Sequence, residues 1–570
     1  MKNNNIFQKL LTNEGESVND HPWDTYPRPQ MVRKDWINMN GLWKFRIDDN
    51  PEEMIKVPFC PESILSGHKG KMTYGCKMRY KKEFQIPEGW KNKLIILHFG
   101  AVNCKCEIYV NGIKLYEHTN GFLPFEIDIT NAVKAQDNEI NTLEVLAVND
   151  LDVTFPIGKQ SKNRGGMWYT PVSGIWQSVW LEPVPKEYIH RIKILPDLTG
   201  ADISVEGAES GTIICEGKEY ALINGKTRVE PEEKRLWTPE TPYLYRFTVK
   251  CDQDTVESYF ALRTLEIKEH GGVKRLCLNG RPYFFHGLLD QGYFSDGIYT
   301  PADPSLYEKD IRAMKALGFN TLRKHIKIEP EQFYYDCDRL GMVVFQDMVN
   351  NGSYSFMRDT LLPTIGIQRM NDHRLHKDKA SRSAFIKALD ETVGLLYNHP
   401  CICYWTIFNE GWGQFDADLA YEHLKRIDNT RFADATSGWF HRKKSDVDSI
   451  HIYFKKLHPG KNKGLPLVIS EFGGYVYKIP DHSYNLGKTY GYKIFTDKEA
   501  YKEAIRDLYM HEVLPLVKEG LSASVYTQVS DVEDETNGLL TYDRKACKLK
   551  PEEFRDISEM LYEATENITT

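Results

Sequence analysis

The first third of the chain is a succession of short strand-like runs. GLWKFRI (41–47), LIILHFG (94–100), LEVLAVND (143–150) and GIWQSVWLE (174–182) carry the β-branched and aromatic residues that suit a pleated, half-buried surface. EIYVNGIKLYEH (107–118) predicts a hairpin around Asn111–Gly112, the pair favoured in type I′ turns. No long helical period interrupts these runs, so residues 1–183 are expected to form a β-sandwich. YIHRIKIL, ADISV, GTIICEG and YLYRFTVKC continue the pattern through 184–266 and predict a small immunoglobulin-like sandwich.

After Asn279–Gly280 the pattern changes. Short apolar strands alternate with amphipathic helices. Strands are predicted at 282–286, 319–323, 342–346, 402–408, 432–436, 449–453, 467–470 and 523–527. Tyr307, Ile311, Met314 and Leu317 keep helical spacing before Gly318, and Phe333, Cys337 and Leu340 do so before Gly341. Phe385, Leu389, Val393 and Leu396 form a third stripe, ended by Asn398-His399-Pro400. Eight strands with room for a helical return in each gap predict a (β/α)8 barrel over 267–570. An open doubly wound sheet would carry a glycine-rich phosphate turn, and none is present. Two long segments, 348–381 and 472–498, leave the C-terminal ends of strands, the face where barrel enzymes do chemistry. The second holds Tyr475, Tyr477, Tyr484, Tyr490 and Tyr492, placed to stack on a sugar or to pack the loop.

Bulk properties narrow the function. The chain has 570 residues, enough for two to four domains, and a net charge of −7. A mildly acidic chain is a poor partner for nucleic acid or an anionic membrane. It has no apolar run long enough to span a bilayer and no signal-peptide core in MKNNNIFQKLLTNEGES. Eleven scattered cysteines with no CxxC pair read as reduced, buried thiols, which points to the cytoplasm.

Candidate chemistry sits at two strand ends. The fourth barrel strand ends in Asn409–Glu410, followed by Gly411, Trp412 and Gly413, and the seventh ends in Glu471 before Phe472-Gly473-Gly474. Both carboxylates would point into one mouth, with Gly411 and Gly413 letting the backbone turn tightly beneath a sugar. Glycosidic cleavage needs such a pair: one acid for the leaving oxygen and one carboxylate facing the anomeric carbon. A metal would want further ligands, but His451 and His325 match no metal spacing, so no metal and no cofactor is expected. GxSxG and P-loop motifs are absent.

FNEGW (408–412) and ISEFGG (469–474) resemble the two active-site motifs of glycoside hydrolase family 2, which includes β-galactosidases, β-glucuronidases and β-mannosidases. HPWDTYPRPQ…NMNGLWKFRID resembles the opening of that family's sugar-binding jelly-roll domain. LWTPETPYLYRFTV (236–249) is similar to the end of its immunoglobulin-like domain, and LRTLEIK…LNGRPYFFHGLLDQ (262–291) to the entry of its barrel. The likeness covers nearly the whole chain, with several motifs in the right order. It implies a multidomain protein with a jelly-roll β-sandwich (1–183), an immunoglobulin-like β-sandwich (184–266) and a catalytic TIM barrel (267–570), the barrel being the last domain. It also implies Glu410 as general acid/base, Glu471 as nucleophile and Asn409 on the substrate's 2-hydroxyl. Arg323 matches an arginine near the nucleophile and Tyr453 a tyrosine beside it. Asp347, Asp290, His451, Trp412 and Tyr526 also stand at strand ends and are expected to bind substrate.

Departures bear on the sugar. Where β-galactosidases often have Asn-Arg-His-Glu, this chain has Gly287-Leu-Leu-Asp290-Gln291. Where β-glucuronidases have Asn-x-Lys, it has the lysine-free, acidic VSDVEDETNGLL (529–540), which would repel an anionic sugar. The expectation is a retaining exo-β-glycosidase acting on β-galactosides. β-Glucuronidase or another specificity of the family is the alternative. A non-catalytic carbohydrate-binding protein on a dead barrel is the reading from another class, and the presence of both glutamates argues against it. The partner is then a small carbohydrate, with a homo-oligomer left open because family members are often dimers or tetramers.

Overall fold

The structure, a computed structural model, describes residues 6–134, 139–368, 370–453, 455–458 and 464–568. The first five residues of the N-terminal stretch lie outside them. Between 37 and 184, antiparallel sheets of four and six strands share one core, in which Trp43, Tyr80 and Val145 of one meet Leu97, Phe99 and Leu181 of the other. The expected hairpin joins Lys105–Val110 to Ile113–Thr119, and Asn111 (φ 50°) and Gly112 (φ 80°) supply its two left-handed positions. A seven-stranded antiparallel ladder follows, from Arg191–Pro196 to Asp254–Phe260, around a separate core that includes Ile192, Ile213 and Val249.

Eight strands then make the barrel: Phe285–Asp290, Thr321–Lys324, Val343–Asp347, Ile402–Asn409, Phe432–Ser437, Asp448–Ile452, Leu467–Gly473 and Leu521–Thr527. All seven ladder pairings are parallel. The fifth and sixth strands are the ladder's two ends, and hydroxyls bridge that seam: Ser437 Oγ lies 2.9 Å from Ser470 Oγ and 3.4 Å from Ser449 Oγ. The fourth strand is buried along its whole length, as parallel strands covered on both faces must be. Helices Ser305–Ala316, Glu331–Leu340 and Lys379–Leu396 bury the three predicted stripes, and Gly341 caps the second at φ 72°.

The first barrel strand differs from its predicted position. Arg281–Pro282 belongs instead to a small antiparallel sheet with Leu265–His270 and Val273–Leu278, and the barrel strand starts three residues later than PYFFH. Proline has no N–H to give a central ladder, so the apolar run divides there. Ten of the eleven cysteines are buried and unpaired, as expected of small core hydrophobes, and Cys547 is exposed. No helix among the described residues is long and apolar enough to cross a membrane.

Candidate active site

Glu410 and Glu471 meet at the C-terminal rim of the barrel, where one oxygen of each lies within 4.8 Å of the other. Glu410 follows the last residue of the fourth strand with φ at 53°. Left-handed backbone costs a residue other than glycine about 1–2 kcal/mol. The conformation is held by Glu410 N donating to Ser437 O (2.9 Å) and Trp439 Nε1 donating to Glu410 O (3.0 Å). Gly411 and Gly413 continue the turn at φ 74° and 71°. What approaches them is protein: a Cβ on Gly411 would stand 2.2 Å from the Phe440 ring, and one on Gly413 2.4 Å from the Asn351 carbonyl oxygen. Glu471 sits where the ladder slips register on both sides, between Ile450 and His451 and between Ile469 and Phe472. Such irregularities re-aim a side chain.

The two carboxylates have different partners. Arg323 Nη1 donates to Glu471 Oε1 at 3.0 Å, and Tyr453 donates its hydroxyl to Glu471 Oε2. The same guanidinium donates Nε to Asp347 Oδ1 (3.0 Å) and Nη2 to Asn409 Oδ1 (2.8 Å). Glu410 Oε1 shares a hydrogen bond with His451 Nδ1 at 2.8 Å, and Nε2 of that ring lies 3.0 Å from Ser437 Oγ. Burial alone would push the Glu471 carboxyl up, but the positive groups around it, His451 and Arg323 foremost, bring it down to about 2. His325 has its own pKa pushed down to about 4, chiefly by burial, so it is neutral at pH 7. Arg323 is therefore a cation that persists beside Glu471 at neutral pH.

Glu410, His451 and Glu471 together offer three ligand atoms to a cation. The Arg323 charge 3.0 Å from Glu471 opposes one there. The arrangement is better suited to an ionised carboxylate beside one that shares a proton with an imidazole. At this spacing a retaining displacement can proceed, since retaining pairs stand about 5–5.5 Å apart and inverting pairs leave room for a water.

Strand alternation sorts the remaining candidates. Arg323 points inward, so Lys324 points outward, and the register sets Asp290 opposite Lys324. Asp290 accordingly pairs with Lys324 Nζ at 2.6 Å on the helix side and is absent from the cleft wall. Tyr526 lies opposite Phe472 and also turns outward, its hydroxyl accepting from Tyr475 N (3.1 Å). Asp347 points inward but lies beneath the guanidinium, accepting from Arg323 and sharing a 2.7 Å hydrogen bond with His325 Nδ1. His451 is fully buried behind Glu410. Asn409, Tyr453 and Trp412 line the cleft with the two glutamates.

The cleft encloses about 560 Å³ counting its open mouth. Several of its walls come from residues the strand pattern did not single out. Tyr354 and Tyr492 belong to the two long loops, and Tyr492 stacks on Tyr453 with centroids 3.7 Å apart. The other four loop tyrosines are not among the lining residues; Tyr475 packs on Tyr526 and Tyr477 on Tyr501. Lys159, Met167 and Trp168 come from the first sandwich, with Trp168 edge-on to Trp412 at 5.1 Å. The acidic stretch 529–540 presents only Glu535 to the cleft. Asp531 pairs with Lys548 (2.6 Å), Glu533 with Arg164 (3.3 Å) and Thr170 N (3.0 Å), and Asp534 accepts from Asn485 Nδ2 (2.7 Å). Asp531, Glu533 and Asp534 are thus held by partners outside the stretch and do not line the cleft, which leaves Glu535 as the acid facing it.

Comparison with known proteins agrees with this architecture. Residues 269–544 match the family model "Glycosyl hydrolases family 2, TIM barrel domain", 68–185 its sugar binding domain, and 190–263 "Glycosyl hydrolases family 2". A β-galactosidase of Thermoanaerobacter pseudethanolicus is 25% identical over 417 residues, 67% of this chain and 52% of its own length. A β-glucuronidase of Chlorocebus aethiops is 26% identical over 478 residues, 71% of this chain and 69% of its own. The match thus spans about half of the first relative and about two thirds of the second. The solved structure of a β-D-glucuronidase from Dictyoglomus thermophilum superposes with a TM-score of 0.74 at 19% identity, covering 95% of this chain and 98% of that one, which shows a shared fold. With three family models in order along one chain, a barrel behind two sandwiches and paired carboxylates at the barrel's rim, the protein belongs to glycoside hydrolase family 2.

Proposed function

We propose that the protein is a retaining exo-β-glycosidase in which Glu471 is the nucleophile and Glu410 the acid/base. The observation that carries this reading is the asymmetry of a close pair. Two carboxylates bring an oxygen of each within 4.8 Å of the other, one carboxylate held by Arg323 and Tyr453 and the other by His451. Glu471, held ionised, attacks the anomeric carbon as Glu410 protonates the glycosidic oxygen. The bond from C1 to the leaving oxygen breaks and one from C1 to a Glu471 oxygen forms. Glu410, now ionised, takes a proton from water, which attacks C1 and returns the Glu471 carboxylate. Asn409, fixed by Arg323, is positioned to bind the sugar's 2-hydroxyl. Tyr453 and Trp412 line the same space, whereas Asp347 and His451 act through Arg323 and Glu410. The domain boundaries 1–183, 184–266 and 267–570 and a cytoplasmic location remain part of this proposal.

For the terminal sugar we propose a uronic acid, β-glucuronides first, in place of the β-galactoside expected from the sequence. β-Glucuronidases recur among the relatives and structural neighbours, and three of the four acids in 529–540 are held away from the cleft by other partners, which weakens the objection to an anionic sugar. A β-galactoside is the second reading, supported by the β-galactosidase relative and by the missing Asn-x-Lys. A panel of nitrophenyl β-glycosides tests both, with Glu471→Ala and Glu410→Ala as controls. The wild type should release aglycone from at least one sugar, and Glu471→Ala should abolish it. Equal, negligible release by wild type and Glu471→Ala across the panel would leave the dead-barrel, carbohydrate-binding reading.

A further inference from the structure

One ammonium in the cleft makes no ion pair with any described residue. Lys159 lines the same space as Glu410, Glu471 and Glu535, yet it comes from the first sandwich. Among the described residues its Nζ makes no ion pair or hydrogen bond, and its one contact of that kind is the face of Tyr169, 5.8 Å away. The acids nearby are engaged elsewhere: Glu533 and Asp534 on Arg164, Asp531 on Lys548, and Glu535 accepting from the Tyr169 hydroxyl and from Gln528 Nε2 (3.3 Å).

The backbone that presents Lys159 is fixed on both sides. Ile157 N and Gly158 N donate to Asn350 O of a barrel loop at 2.9 and 3.3 Å. Gly158 lies against Ile326 O, where a Cβ would stand 2.9 Å away, and its φ is +62°. Tyr169 N donates to Lys159 O (3.0 Å), and the Gln160 side chain braces Ile157 O (2.7 Å) and Val172 N (2.7 Å). A half-buried lysine on a docked, hydrogen-bonded segment loses side-chain entropy and solvation, which an anionic group arriving with substrate would offset.

We propose that Lys159 is the receptor for the carboxylate of a uronic acid at the terminal sugar, delivered to the barrel's cleft by the first domain. The inference rests on the exo-glycosidase reading and deepens it by assigning the group that selects the sugar. The electrostatics agree. The charge of Lys159 reaches Glu471, His325 and Glu535, so it acts within the reacting space. Trp168, which lines the same space, supplies an aromatic wall for the ring that carries the anion.

The test compares nitrophenyl β-glucuronide, β-galacturonide, β-galactoside, β-glucoside and 6-phospho-β-galactoside on wild type, Lys159→Met and Lys159→Arg. Lys159→Met should lower the ratio of uronide to neutral kcat/KM about 10- to 100-fold, mainly through KM. Lys159→Arg should recover part of it, with unchanged melting temperatures. An unchanged ratio, or equal losses on neutral and anionic sugars, overturns the assignment and leaves the glycosidase reading standing. A wild type that prefers a neutral or phosphorylated sugar overturns the assignment together with the uronide specificity, again without touching Glu410 and Glu471. A wild type inactive on the whole panel overturns both.

Discussion

Arg323 Nη1 stands 3.0 Å from Glu471 Oε1, and the same guanidinium holds Asp347 and Asn409. One fully buried cation therefore joins His451 in holding the nucleophile ionised, and it also fixes Asn409 and compensates a second buried acid. Replacing it with methionine should do three things at once. The Glu471 pKa should rise from about 2, moving the acid limb of the kcat/KM profile to higher pH. Asp347 would be left buried without its charge partner, at a cost of about 3–5 kcal/mol. Arg323→Lys should restore charge but not the fork, and recover stability better than activity. An acid limb that stays in place in Arg323→Met, measured beside thermal unfolding, would show that the arginine does not hold Glu471 ionised.

Glu471 also ties stability to pH. Its folded pKa, about 2, lies below its ordinary value of 4.5. The stability it contributes is therefore complete above that ordinary value and fades as pH falls from about 4.5 toward 2. Thermal unfolding of wild type and Glu471→Gln between pH 7 and 3 should show their difference in melting temperature shrinking below about pH 4.5. A difference that grows on acidification would contradict the direction.

His451 should matter most when the leaving group needs a proton. Its Nδ1 lies 2.8 Å from Glu410 Oε1 and its ring is fully buried. His451→Gln should slow aryl glycosides with poor leaving groups by about 10- to 100-fold, while good leaving groups change far less. A plot of log kcat/KM against leaving-group pKa should steepen. Parallel plots would mean that the ring only packs.

Gly411 and Gly67 provide a controlled comparison. Both have left-handed backbone, at φ 74° and 78°. A Cβ at Gly67 meets nothing within 4 Å, whereas one at Gly411 meets the Phe440 ring at 2.2 Å. Gly67→Ala should cost about 1 kcal/mol from backbone strain alone. Gly411→Ala should cost about 1–3 kcal/mol more, and displace Glu410 enough to lower kcat. Equal costs in denaturant unfolding would place Gly411's value in its φ and not in the close approach.

The parts of the site legible in the sequence are those set by strand ends. An apolar run stopped by Asn409–Glu410, another interrupted by Glu471 two residues before its strand ends, and Arg323 as the last residue but one of the second strand all follow from local pattern. Asp290 and Tyr526 share that pattern but face the helices, because inward or outward direction depends on pairing register, which one strand read alone does not specify. Lys159 and Trp168 left no sign. Their segment has no period, and it enters the cleft only through docking on Asn350 and Ile326, far along the chain. Composition at 529–540 did not show which acids would face the cleft for the same reason, since the partners of most of them, Arg164 and Lys548 among them, lie outside the stretch.

The central claim is that Glu471 becomes bonded to the sugar. Incubation with 2-deoxy-2-fluoro-β-glycosyl fluorides of glucuronic acid, galactose and glucose, followed by intact mass and peptide mapping, tests it directly. The account predicts a single adduct on Glu471 with at least one of the three, formed more slowly after Arg323→Met. An adduct on another residue, or turnover of a nitrophenyl β-glycoside that first releases the α-anomer, would contradict it.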